Sequence, residues 1–83
     1  REIALTAEEL VKAVAAALKF GGRTCIVHRA DRLADVLCAL RGANLEPKRL
    51  QLVEAAGKEP YLFMVEAVKG GKSGMKILRN AEN

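Results

Sequence analysis

Apolar positions along the first part of the chain predict a helix. They recur at the three- and four-residue spacing that gathers side chains on one helix face: Leu10, Val11, Val14 and Leu18. Thr6 followed by Glu9 predicts a capping box at the start of this helix. Gly21-Gly22 predicts its end, because glycine adopts the left-handed C-terminal conformation at little cost. We therefore expect a first helix over residues 7–19.

A second helix is predicted by apolar residues at positions i, i+3, i+4 and i+7, namely Leu33, Val36, Leu37 and Leu40. Asp31 suits the positive end of the dipole of this helix. Arg41 followed by Gly42 is typical of a helix end.

The remaining apolar runs predict strands. Thr24–Val27 is apolar on both faces, which favours an interior strand of a covered parallel sheet. Lys48–Val53 alternates in part, and Tyr61–Val68 is the longest strand candidate, so a hairpin is expected. Gly70–Gly74 is a flexible connector, and residues 75–78 form a short final extended segment. The helix-strand-helix-strand-strand order indicates an α/β fold with a right-handed crossover between parallel neighbours and an antiparallel last strand.

Composition narrows the class of protein. A chain of 83 residues forms one domain at most, and no apolar run approaches the ~20 residues of a membrane span. The chain opens with Arg1 and not Met, so we expect it to be incomplete. Cys25 and Cys38 each lie in an apolar run without nearby ligand partners, which predicts reduced, buried packing residues and a cytoplasmic location. No metal site is expected.

The formal net charge of +4 is concentrated late in the chain, in Lys69, Lys72, Lys76 and Arg79. A basic surplus favours a polyanionic partner such as RNA, and the alternative is a solvated cationic surface. The Gly70–Gly74 segment lacks the spacing and the following helix of a phosphate-binding loop.

The few aromatic residues and the single histidine do not define a site. Tyr61 and Phe63 share one strand face, where a core role is favoured over base stacking. His28 has no nucleophile or carboxylate beside it, so a packing or hydrogen-bonding role at a strand end is favoured over general base catalysis.

Three segments, taken in order, resemble a known family: Phe20–Arg23 with the following buried strand and His28–Leu37, Leu45–Leu50, and Lys69–Lys76. They look like the C-terminal third of class I S-adenosylmethionine-dependent methyltransferases of the bacterial "methyltransferase small domain" type, the group related to tRNA(Val) adenine-N6 methyltransferase. That pattern often has proline where this chain has Ala30, a change that a helix start tolerates.

The resemblance implies that residues 1–83 are the C-terminal portion of a seven-stranded Rossmann-like sheet, with a final antiparallel strand inserted beside the fifth. It also implies that the cofactor-binding half is absent, so no catalytic or cofactor-binding residue is expected here. The parent enzyme would transfer a methyl group from S-adenosylmethionine to an adenine N6 in tRNA. This piece alone would be inactive and would bind no cofactor.

Within that reading, residues at a strand end and around the glycine connector are predicted to contact RNA: His28, Arg29, Arg32, Lys69, Lys72 and Lys76. The unpaired edge of Thr24–Val27 predicts self-association of the isolated piece. No membrane partner is expected. Two other functions stay open: a free-standing RNA-binding module and a non-catalytic dimerisation fragment. A bare edge on Thr24–Val27 would indicate a missing enzyme half, whereas an RNA module would have a closed sheet with exposed aromatic rings.

Overall fold

The computed structural model describes residues 6–54 and 56–82, so Arg1 lies outside the described residues. Two helices and four strands follow one another as α1 (Ala7–Ala17), β1 (Arg23–Arg29), α2 (Leu33–Gly42), β2 (Leu45–Glu54), β3 (Leu62–Lys69) and β4 (Lys76–Glu82). A 3₁₀ turn over Ala30–Arg32 joins β1 to α2.

Both predicted helices are present. The α1 capping box is confirmed: the Glu9 amide donates to Thr6 Oγ1 over 3.1 Å, and the Thr6 amide donates to Glu9 Oε1 over 2.9 Å. α1 ends at Ala17, slightly earlier than expected. α2 includes Gly42, and the left-handed residue that follows it is Asn44, with φ 64°. Asparagine tolerates this conformation better than most residues with a Cβ.

The sheet has the strand order β1-β3-β2-β4. β3 runs antiparallel to both β1 and β2, which confirms the hairpin and makes β1 and β2 parallel to each other. The expectation that β1 and β2 are neighbours was wrong, because β3 is inserted between them. The antiparallel strand β3 does lie beside β1, as the family resemblance implies for an inserted strand, but it is not the last strand of the chain, so the expectation of an antiparallel last strand was wrong. β4 pairs parallel with β2. Four strands are described, so the seven-stranded sheet stays a prediction.

One face of the sheet carries both helices and the core. The buried apolar residues come from α1 (Val11, Ala15), α2 (Val36, Leu40), β1 (Ile26), β2 (Leu45, Leu50) and β3 (Phe63, Val65, Ala67). Phe63 is fully buried, which confirms its core role, whereas Tyr61 is 51 % exposed because it precedes β3 and lies outside the packed part of the strand.

The opposite face of the sheet has no helix on it among the described residues, and we call it the open face. In β1 only Ile26 is buried, and Val27 is 55 % exposed. The prediction that this strand is covered on both sides was therefore wrong for this chain. Cys25 and Cys38 were expected to be buried, and both are exposed. Cys25 is exposed because its position in β1 alternates with the core residue Ile26 and so directs its side chain to the open face.

β1 also forms a free edge of the described sheet. The Lys69 amide donates to the Gly22 carbonyl and the Ala30 amide donates to the Tyr61 carbonyl, each over 2.9 Å. Because bonding sides alternate along an antiparallel strand, the odd-numbered residues of β1 direct their backbone groups away from β3. Of these groups, the Arg29 amide is taken by the ring of its own neighbour His28.

Candidate nucleic-acid interface

The six residues predicted to contact RNA lie at two different ends of the sheet. Arg29 pairs with Leu62 at one end, and Lys69 pairs with Leu45 at the other. Strands rise about 3.4 Å per residue, so a seven-residue strand such as β1 separates these ends by roughly 20 Å. His28, Arg29 and Arg32 therefore form one group, and Lys69, Lys72 and Lys76 form another near the opposite end.

The two arginines at the strand end are ion-paired with local carboxylates. Arg29 donates to Asp31 through two bonds of 3.2 and 2.7 Å, and Arg32 donates to Asp35 over 3.3 Å. The bond from Arg29 holds the pKa of Asp31 below its ordinary value, and the same bond raises the pKa of Arg29. Both pairs are exposed, so they add little stability, but each carboxylate cancels part of the charge offered to an incoming phosphate.

His28 has a local structural role. Its ring stacks on Phe63, with centroids 6.3 Å apart and an interplanar angle of 23°. Its Nδ1 accepts the Arg29 amide over 2.9 Å, which places the proton of the neutral ring on Nε2. The ring borders a groove of about 310 Å³ together with Thr6, Arg32 and Asp35. These contacts are the packing and hydrogen-bonding role expected for it.

The side chain of Lys69 forms hydrogen bonds within the protein. Its half-buried Nζ donates to the carbonyls of Ala15 and Leu18, over 2.7 Å in each case. α1 has no basic residue in its own last turn. The ammonium of Lys69 therefore satisfies two carbonyls at the negative end of the α1 dipole.

A group of exposed cations surrounds an irregularity in β2. The pairing of β2 with β3 shifts between Pro47 and Arg49, which leaves Lys48 as an extra residue. Arg49 pairs in register with Lys76 of the neighbouring strand β4. Lys48 Nζ donates to the backbone carbonyl of Lys72 over 2.7 Å and so joins the connector to β2. We call Lys48, Arg49, Lys72 and Lys76 the bulge patch.

Carboxylates near the bulge patch are engaged elsewhere. Glu46 binds Arg41 over 2.5 Å, and Glu66 lies 3.8 Å from Arg23. The Arg41 bond, with smaller effects from the charges of Arg41 and Lys48, lowers the pKa of Glu46. None of the ion pairs within residues 6–54 and 56–78 involves a side chain of the bulge patch.

Sequence reasoning selected Lys72 and Lys76 but missed Lys48 and Arg49. One signal was present: Lys48-Arg49 is the only place in the chain where two Lys or Arg residues are adjacent. The alternation expected of a half-exposed strand would have put these two side chains on opposite faces. The bulge alters that alternation and brings both to the connector. The side chain of Arg79, which belongs to the same basic stretch of sequence, lies outside the described residues.

The described ranges, 6–54 and 56–82, hold neither a metal site nor a membrane-spanning helix. No group of three or more His, Cys, Asp or Glu residues there could hold a metal ion. No helix in that part of the chain is long and apolar enough to cross a membrane.

The fold is similar to part of a solved structure. A predicted O-methyltransferase from Agrobacterium tumefaciens superposes with a TM-score of 0.80 and 18 % sequence identity over 93 % of this chain. The match covers 38 % of that protein, so this chain spans well under half of its length. No family model and no curated protein matches the chain. The chain therefore has a methyltransferase-like fold.

Proposed function

We propose that this chain is the C-terminal part of an S-adenosylmethionine-dependent methyltransferase that modifies an adenine N6 in tRNA. The observation that carries the proposal is the insertion of antiparallel β3 between the parallel strands β1 and β2. That arrangement is the one implied by the family that the three sequence segments resemble. The structural likeness to part of a predicted O-methyltransferase supports the methyltransferase part of the proposal.

The junction after β1 does not fit the cofactor. After β1 the chain passes through Ala30–Arg32 into α2 without any glycine, so this junction lacks the close backbone approach of a dinucleotide-type loop. In the proposal, S-adenosylmethionine binds to other parts of the protein. We therefore assign no step of methyl transfer to residues of this chain. Their part is to support the sheet and to hold RNA.

The free edge of β1 and the open face are consistent with a cofactor site in another part of the protein. Val27 and Met64 are partly exposed on the open face, and the odd-numbered residues of β1 direct their backbone groups to the edge that no described strand covers. The coverage of only 38 % of the similar methyltransferase leaves room for further strands and helices against both surfaces. In the proposal, the cofactor-binding half joins the sheet at this edge.

Two measurements test the proposal. The protein extended upstream of Arg1 should transfer a labelled methyl group to unmodified tRNA, and nucleoside mass spectrometry should identify N6-methyladenosine. A methylated ribose or another base would refute the adenine assignment, and no transfer to any nucleic acid would refute the function. Calorimetric titration of the 83-residue chain with S-adenosylmethionine should show no binding. Stoichiometric micromolar binding would contradict the placement of the cofactor site elsewhere.

A free-standing RNA-binding sheet is not favoured by the same structure. The described side chains of the open face include no aromatic ring, and Phe63 is buried beneath the helices. The base-stacking platform of an RNA-recognition sheet is therefore missing from the described residues. The free β1 edge does favour a second candidate function, self-association through this strand.

A further inference from the structure

We propose that the bulge patch, and not the pair of arginines at the strand end, binds the phosphate backbone of RNA. The choice of RNA among polyanions rests on the proposed function. The location rests on the structure alone, because it follows from which cations are already paired and which are not.

The bulge patch holds like charges close together. Arg49 and Lys76 are register partners on neighbouring strands, which lie about 4.8 Å apart in a sheet. Like charges directly opposite each other destabilise a sheet unless a counter-charge lies between them. Glu66 of β3 is the register partner of Arg49 on the other side, but its carboxylate is paired at 3.8 Å with Arg23 and forms no described ion pair with Arg49. Glu46 contacts Arg41. A phosphate bound between the patch cations would relieve this repulsion.

The connector lies against the bulge patch. Gly70 and Gly74 adopt φ values of 73° and 116° at the two ends of the connector, a region that favours glycine. The bond from Lys48 Nζ to the Lys72 carbonyl fixes the middle of the connector against β2. An open groove of about 660 Å³ runs there, bordered by Lys48, Arg49, Gly74, Met75, Lys76 and Leu78.

The strand-end arginines are poorer phosphate ligands by comparison. Asp31 occupies Nε and Nη2 of Arg29, and Asp35 occupies Nη1 of Arg32, so a phosphate that binds either arginine must displace the carboxylate from these donors or bind beside its negative charge. Among the described residues no carboxylate forms an ion pair with Arg49, Lys72 or Lys76, and all three are exposed.

The test compares two triple variants with equal net charge. The patch variant carries Arg49→Gln, Lys72→Gln and Lys76→Gln. It loses three cations of the bulge patch and no described hydrogen bond of the fold. The control variant carries Lys12→Gln, Arg29→Gln and Arg32→Gln. It loses three exposed cations that have carboxylate partners. Binding of an unmodified tRNA transcript is measured by fluorescence anisotropy between 50 and 200 mM NaCl. Each lost contact to a duplex phosphate lowers the slope of log affinity against log salt by about 0.9.

The patch variant should lose about two to three units of that slope, and the control variant should keep the slope of the original chain. Equal losses in both variants would show that only net charge matters and would overturn the inference, as would a larger loss in the control. A third variant that keeps the charges, with Arg49→Lys, Lys72→Arg and Lys76→Arg, should restore the slope. This charge-retaining variant is needed in case the neutral variant does not fold. If it loses tRNA binding although all its charges are retained, the proposal is also refuted.

A vesicle control separates RNA from an anionic membrane surface. Phosphatidylserine vesicles should bind more weakly than tRNA at equal phosphate concentration, and stronger vesicle binding through the same residues would refute the choice of RNA. Methyl transfer is measured separately. A protein that binds tRNA through the bulge patch but methylates nothing would refute the proposed function and leave this inference standing.

Discussion

Lys69 was selected from the sequence as an RNA contact, and its surroundings allow the competing structural role to be tested. Replacement by methionine keeps most of the apolar stem and removes the ammonium that donates to the Ala15 and Leu18 carbonyls. Hydrogen bonds from a charged group contribute about 1.5–3 kcal/mol each when water is excluded, and a cation at a helix C-terminus contributes about 0.3–1 kcal/mol. Lys69 is only half-buried, so water can replace part of both bonds.

We therefore expect Lys69→Met to lower the free energy of unfolding by about 2 kcal/mol. For a domain of this size, 1 kcal/mol changes Tm by roughly 4–8 °C, so the loss corresponds to roughly 8–16 °C. Circular dichroism during urea and thermal unfolding measures both quantities. Lys72→Met is the matched control, because Lys72 is exposed and only its backbone carbonyl is used. That control should change the unfolding free energy by less than about 0.5 kcal/mol.

The same two variants should have the opposite relative effects on tRNA binding. Lys69→Met should leave the salt dependence of tRNA affinity unchanged, whereas Lys72→Met should lower the slope by about one phosphate contact. If Lys69→Met instead keeps the stability of the original chain and weakens tRNA binding, the helix-capping role is wrong and the RNA role predicted from the sequence holds.

Two further predictions follow from the free edge of the sheet and from the ion pair at the start of β2. The 83-residue chain should sediment as a dimer at high concentration, and Val27→Lys should make it monomeric, because charged side chains on an edge strand oppose pairing. A monomer without the substitution, or a dimer that survives it, would refute pairing through β1. Arg41→Gln should raise the pKa of Glu46 towards its ordinary value of 4.5, as followed by an NMR titration. Because the folded-state pKa of Glu46 is depressed, its pair with Arg41 stabilises the fold above pH 4.5. This stabilisation is lost as the pH falls through the folded-state pKa. The free energy of unfolding of the variant should therefore depend less on pH in that acid range. An unchanged pKa in the variant would show that Arg41 does not cause the depression.

Local chemistry made parts of the fold predictable. The capping box needs only Thr6 and Glu9, three residues apart, and the apolar stripe of α2 needs only its own sequence. The hairpin of β2 and β3 was predictable because its two strands are close in sequence. Strand order was not, since β1 and β2 point the same way whether or not β3 lies between them. Only the family resemblance implied the insertion.

The site was less predictable because its residues meet through long-range contacts. Lys69 reaches carbonyls that are 51 and 54 residues away in the chain, and no local pattern reveals that use of its charge. Arg29 and Arg32 looked free in the sequence, although Asp31 and Asp35 stand two and three positions further on and bind them. Burial of Cys25 and Cys38 was wrong for a similar reason, since an apolar run indicates what a segment prefers and not which neighbour covers it.

The two exposed cysteines lie on opposite sides of the sheet. Cys25 lies on the open face, beside Arg49, Gln51 and Met64, whereas Cys38 lies on α2, which packs on the other face of the sheet. A thiol reagent therefore samples both sides of the sheet in one reaction, and mass spectrometry of the two peptides separates the rates. A longer polypeptide or a second copy that settles on the open face would slow alkylation of Cys25 and leave Cys38 as the internal standard. The chain thus carries its own footprinting pair without any engineered label.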